Sequence, residues 1–82
     1  MLKIIKSLVP FFEDCYRRIN VREYAALIDV SPPTASKMLE TFYTEGLLEK
    51  EPFRNYIFYV ANKENSIFRD LARMYWREKL QP

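Results

Sequence analysis

Apolar residues along this chain fall into four stripes of helical period and one pair of short β-prone runs. Leu2, Ile5, Leu8, Val9, Phe12 and Ile19 recur at three- and four-residue intervals, which predicts a first helix over residues 2–18. Pro10 lies inside that stretch and removes one backbone donor, so a kink or a break is expected there. Ile19-Asn20 has the length of a very short strand. Tyr24, Ala25 and Ile28 make a second helix over residues 21–28, and Ala35, Met38, Leu39 and Phe42 a third over residues 32–45. Residues 47–51 and 56–60 read as two strands around a tip at residues 52–55, a β-hairpin. Its second strand, YIFYV, is apolar on both faces, where a solvated hairpin alternates. Ile67, Phe68, Leu71, Met74, Tyr75 and Trp76 give a fourth helix, residues 65–80, a wide apolar stripe, with Arg69, Arg73, Arg77 and Lys79 on or beside its polar face.

The ends of these elements carry their own signals. Asn20 and Glu23 stand at capping-box spacing at the start of the second helix. Ser31 caps the third helix, and Pro32 occupies its first position, where the missing N–H costs nothing. Gly46, the single glycine of the chain, stands where that helix must stop in a left-handed residue. Ala25 is small at the point where a helix-turn-helix brings its two helices close. A tight helix pair followed by a hairpin predicts a mainly α fold with a small β wing. That is a winged helix-turn-helix: a three-helix core, a two- to three-stranded sheet and an extra C-terminal helix, in one domain over residues 1–82.

Composition narrows the chemistry. The chain has 82 residues, 49% of them hydrophobic, enough for one small core. No apolar run approaches the ~20 residues of a membrane span, and the N-terminus lacks the features of a secretion signal. A cytoplasmic protein is expected. Histidine is absent, which removes the usual general base and the commonest metal ligand. Cys15 is alone, so an intrachain disulfide is excluded; it reads as a small packed residue of the first helix. No enzyme, metal or cofactor is expected. Net charge is only +2, with the basic excess in residues 1–22 and 61–82 and a balanced middle. Charge permits nucleic-acid binding without demanding it.

The third helix would be the reading head in a DNA major groove. Pro33, Thr34, Lys37 and Thr41 face away from its apolar side, with Ser36 at the border and Glu40 among the outward residues. Two prolines leave few backbone donors for a phosphate at this helix start, so contacts must come from side chains. Thr and Ser hydroxyls donate to phosphates or to either base type, and Lys prefers guanine acceptors. No Arg, Asn or Gln on this helix offers bidentate readout, which predicts modest sequence specificity. Arg54 and Asn55 at the wing tip face the minor groove or its phosphates, and Arg17, Arg18 and Arg22 lie where backbone contacts form. Each of these also has a plain surface reading: helix-compatible polar residues, a solvated lysine, ordinary turn residues. For Arg69, Arg73 and Arg77 a solvated helix face is the first reading. Ile67, Leu71, Met74, Tyr75 and Trp76 are the expected dimer or partner contact.

Residues 21–39 (VREYAALIDVSPPTASKML) followed by residues 45–50 (EGLLEK) resemble the winged helix-turn-helix regulators of the ArsR/MarR type. Asp29 departs from that pattern, which has Gly at the turn; Asp tolerates the left-handed conformation better than most residues. Residues 10–14 (PFFED), 61–65 (ANKEN), 68–71 (FRDL) and 73–75 (RMY) are similar to the amino-terminal winged helix of archaeal proteins that continue into a nucleotidyltransferase domain. The Gly-Ser motif and paired aspartates of that catalytic part do not occur here, so the resemblance implies a DNA-binding or docking module and transfers no catalytic residue. The resulting expectation is a transcriptional regulator that binds double-stranded DNA as a homodimer. The alternative is a winged helix that docks a nucleotidyltransferase domain or chain.

Overall fold

A computed structural model describes residues Leu2–Leu80, Leu2 by its backbone alone; the expected burial of the Leu2 side chain and the outer ends of the 1–82 domain lie outside the described residues. The elements run α1 (Leu2–Glu13), α2 (Val21–Ile28), α3 (Pro32–Thr44), β1 (Leu48–Phe53), β2 (Tyr56–Ala61) and α4 (Ser66–Lys79). One core is drawn from all of them. It includes Ile5, Leu8, Phe11 and Phe12 of α1, Tyr24 and Ala25 of α2, and Ala35, Leu39 and Phe42 of α3. Ile19, Leu47, Leu48 of β1, Tyr59 and Ala61 of β2, and Phe68 and Leu71 of α4 complete it.

Helix α1 ends at Glu13, short of the expected residue 18, and Pro10 lies inside it without breaking it. The stop is local chemistry. The Asp14 carboxylate accepts the Tyr16 N–H at 3.1 Å, and the Arg17 N–H turns back to the Asp14 carbonyl at 3.2 Å. Such side-chain capture offers the backbone an alternative to another helical turn. The chain then extends so that Ile19 exchanges two backbone hydrogen bonds with Tyr59, at 2.9 and 2.8 Å. Ile19 is therefore buried from a strand bridge rather than from a helix. Pro10 carries no N–H for the Lys6 carbonyl; on the next carbonyl, Ser7, the Tyr24 hydroxyl donates at 2.6 Å and ties α2 to α1. Burial pushes that phenol up to about 12.

The start and stop signals of α2 and α3 are realised. Asn20 and Glu23 form both bonds of the capping box. Ser31 accepts the Thr34 N–H, with Pro32 and Pro33 at the first two helical positions. Gly46, at φ +81°, closes α3 in a Schellman arrangement, with Leu47 N–H to the Phe42 carbonyl and Gly46 N–H to the Tyr43 carbonyl. Asn65 caps α4. The wing is longer than expected: Pro52 and Phe53 belong to β1, and the turn is the two residues Arg54 and Asn55. Pro52 is tolerated because β1 is the sheet edge, where a missing donor breaks no interior ladder. With β2 between β1 and Ile19, Tyr59 and Ala61 point inward, while Phe58 and Val60 face outward and are half-buried.

Candidate nucleic-acid interface

The entrance to α3 is built by two backbone devices. Asp29 adopts φ 60°, ψ 54° as the cap of α2, and its N–H returns to the Ala25 carbonyl. This left-handed residue turns the chain through Val30 into the Ser31 cap, so α3 packs across α2, with Ala25 and Ala35 both buried. Ala35, Leu39 and Phe42 are buried, which leaves Pro33, Thr34, Lys37 and Thr41 exposed and Ser36 half-buried. Positions 33, 37 and 41 form one ridge at four-residue spacing, beside a shallow groove of about 510 Å³ that reaches Glu45. The hydroxyls are not equivalent. Thr41 donates to the Lys37 carbonyl at 2.9 Å, so it presents only acceptor capacity outward. Thr34 accepts from the Ser31 hydroxyl at 3.0 Å and keeps its own hydrogen free. Lys37 has no ion-pair partner among the described residues.

A clamp holds the wing at a fixed angle to α3. Glu40 accepts the Tyr59 hydroxyl at 2.6 Å and pairs with Lys50 at 2.6 Å, and the Lys50 ammonium lies 4.5 Å from the centre of the Tyr43 ring. The hydrogen bond from Lys50, then that from Tyr59, holds the Glu40 carboxyl below the usual carboxylate range. Burial, then the Glu40 carboxylate, pushes the Tyr59 phenol above its ordinary value. Glu40 thus joins the wing to α3 while still lining the groove beside the ridge. At the far end of the wing Arg54 and Asn55 are exposed, and Arg54 sits at φ 57°.

Two of the three arginines around the start of α2 are engaged within the chain. Arg17 pairs with Glu23 at 3.5 Å and Arg18 with Glu51 at 2.6 Å; Arg22 is exposed and has no ion-pair partner among the described residues. The stretch from α3 to the end of β2 carries Lys37, Lys50 and Arg54 against Glu40, Glu45, Glu49 and Glu51. That stretch is slightly acidic overall, and among the described residues Arg22, Lys37 and Arg54 are exposed cations with no ion-pair partner.

Helix α4 divides the expected contact residues. Leu71 is 8% exposed and packs in the core, so it offers no surface to a partner. Tyr75 is half-buried against Phe12 and donates to Glu13, which also accepts from Lys79; this links α4 to α1. Ile67, Met74 and Trp76 remain 59%, 42% and 36% exposed. Sequence reasoning missed Glu40, Lys50 and Tyr59 as a unit. The signal that exposes them is the strand register, which sets Lys50 opposite Tyr59 on the face toward α3.

No family model matches this sequence, and no curated protein sequence matches it. Solved structures do. RV1404 from Mycobacterium tuberculosis superposes with a TM-score of 0.73 over 98% of this chain and 55% of that chain, at 17% identity. A transcriptional regulator of the MarR family from Rhodococcus sp. RHA1 gives 0.66 over 85% and 51%, at 20% identity. The fold is a winged helix. The chain spans about half the length of the solved chains it resembles. No described helix is long and apolar enough to cross a membrane, and no cluster of potential metal ligands occurs among the described residues.

Proposed function

We propose that this winged helix binds double-stranded DNA as a transcriptional regulator, with α3 in the major groove and the wing flanking it. The observation that carries the reading is the exposed ridge Pro33–Lys37–Thr41, backed by buried Ala35, Leu39 and Phe42 and set beside a clamped wing. A helix displayed in this way fits a major groove. The similarity in fold to a MarR-family transcriptional regulator supports the same reading. Lys37 and the Thr34 hydroxyl supply the groove contacts, with Pro33 packing beside them and Ser36 and Thr41 secondary. Arg54 and Asn55 reach the flanking backbone or minor groove, and Arg22 contacts a phosphate. Arg17 and Arg18 contribute chiefly as structural ion pairs. A homodimer through Ile67, Met74 and Trp76, with Tyr75 at the edge, would set half-sites ~34–36 Å apart. The protein is a non-enzymatic, cytoplasmic regulator in this reading and takes no cofactor.

Titration of duplex DNA at several salt concentrations tests it. Three free cations predict a slope of log affinity against log salt of about −3, and Lys37→Ala should reduce that slope by about one. A flat salt response would sink the proposal. The acidic balance between α3 and β2 favours a second reading, a docking module for a protein such as a nucleotidyltransferase. That reading predicts no duplex binding at low salt.

A further inference from the structure

Phe53, Tyr56 and Ile57 place exposed apolar surface at the wing tip. Phe53 and Tyr56 are directly opposite each other at the last rung of the hairpin and are 59% and 58% exposed. Tyr56 continues onto Phe58, ring centres 6.1 Å apart, so the outer face of the wing carries a short run of aromatic surface. Beside it lies a cleft of about 380 Å³ lined by Arg18, Glu51, Pro52, Phe53 and Phe58. The Arg18–Glu51 pair spans β2 across Phe58, since Arg18 precedes the residue bridged to Tyr59 and Glu51 is the cross-strand partner of Phe58. Only the Arg18 Nε and one Glu51 oxygen are used in that bond at 2.6 Å. The remaining guanidinium N–H groups and the second carboxylate oxygen stay available, a donor and an acceptor side by side. Arg54 stands over the Phe53 ring at 5.3 Å and brings a positive charge to the mouth of the cleft.

We propose that this cleft on the outer face of the wing takes an unpaired nucleobase. The base would stack on Phe53 and Phe58, its polar edge would meet the free atoms of the Arg18–Glu51 pair, and Arg54 would hold its phosphate. Aromatic surface joined to a cation suits an unpaired base, because every base has a π-face while a paired base hides its own in the stack. The donor and acceptor of the ion pair match the mixed donor and acceptor edge of a base; an aliphatic side chain would leave both unanswered. The inference deepens the DNA-binding reading: the site reads an extruded or single-stranded nucleotide beside the duplex that α3 holds.

Three fluorescent probes test it on the full chain: a paired duplex, the same duplex with one bulged thymidine, and a single strand of ten thymidines. The bulged duplex should bind about five- to tenfold more tightly than the paired one, a gain that stacking one base on an aromatic can supply. Phe53→Ala should erase that preference and leave paired-duplex affinity unchanged; Phe53→Trp should retain it and Phe53→Leu should not. Phe53 is exposed, so these variants fold, and their thermal midpoints verify this. Equal affinity for paired and bulged duplexes overturns the proposal while leaving duplex binding intact. Phe53-dependent binding of the single strand without duplex binding supports the cleft and overturns the duplex reading instead. A change in sedimentation on Phe53→Ala, with no change toward any probe, overturns the proposal in favour of a second copy as occupant.

Discussion

Asp29 and Arg54 occupy the same corner of backbone space, φ 60° and φ 57°, and neither is glycine. They do so for different reasons. Asp29 ends α2 and sends the chain into α3; its short polar side chain is among the few that accept a left-handed residue at small cost. The position requires a turn, and Asp serves it adequately. Arg54 is the first residue of a two-residue hairpin turn, where glycine is the natural occupant, and its side chain lies over the neighbouring Phe53 ring at 5.3 Å. Strain kept at a turn by a residue unsuited to it points to a task for its side chain. At the inner turn the backbone is the purpose. At the outer turn the proposed DNA contact gives the guanidinium its task.

The third left-handed residue calibrates both. Gly46 sits at φ +81°, and a Cβ added there would come within 3.2 Å of the Asn65 Nδ2. Asn65 is the cap of α4, so the crowding would reach beyond the Schellman turn. Gly46→Ala is the largest effect expected here, a loss of about 1–3 kcal/mol from strain plus a disturbed cap. A shift in the thermal midpoint of ~4–8 °C per kcal/mol makes it easy to read in a domain of this size. A midpoint equal to the parent's would mean that positive φ is harmless in this fold, and the comparison of Asp29 with Arg54 would lose its basis.

The comparison itself predicts a split between two matched substitutions. Asp29→Gly and Arg54→Gly each relieve a left-handed residue, with a gain of up to about 1 kcal/mol, less at Asp29 where Asp is already tolerated. Only Arg54→Gly should weaken DNA binding, and it should lower the salt slope by about one as one phosphate contact disappears. Urea denaturation and duplex titration of both variants decide the matter. If both bind DNA as the parent does, Arg54 is an ordinary turn residue.

Legibility in the sequence followed the range of the interaction. Asn20 with Glu23, Ser31 with Pro32, and Gly46 act within a few residues, and each signal is realised as read. The same locality exposes the ridge of α3, because a helical period fixes which side chains oppose Ala35 and Leu39. Failures came where a local device competed with periodicity or a partner lay far along the chain. The Asp14 carboxylate stopped α1 although Ile19 kept its rhythm, and Pro52 joined β1 although proline usually marks a tip. The Arg18–Glu51 pair is hidden from periodicity, because Glu51 lies 33 residues away and meets Arg18 only once Ile19 bridges Tyr59. The partners of Glu40 are hidden for the same reason, since Lys50 and Tyr59 meet only in the strand register. Leu71 shared a stripe with exposed Ile67 and Met74, and periodicity alone does not divide a wide stripe into core and surface.

Glu40 supplies the smallest and most specific test of the division between the helix pair and the wing. In the folded chain Lys50 first and Tyr59 second hold its carboxyl below the usual range; in the unfolded chain neither partner is fixed. A depressed folded value means the native state binds its proton less readily than the unfolded state does. The stability Glu40 contributes is therefore complete above the ordinary carboxylate value and declines as the pH falls through the folded value. Glu40→Gln removes this dependence, so parent and variant should differ most near pH 7 and converge as the pH falls below the folded value, where the carboxylate is protonated. The difference stays modest because the pair is exposed to solvent screening. Glu13 is also depressed, through Lys79 and then Tyr75, but it joins α1 to α4 and is present in both proteins, so its titration cancels in the difference. Denaturation midpoints of the two proteins across that pH range give the result directly. A gap that stays constant with pH would show that Glu40 holds the wing by shape and hydrogen bonding alone, with no contribution from its charge.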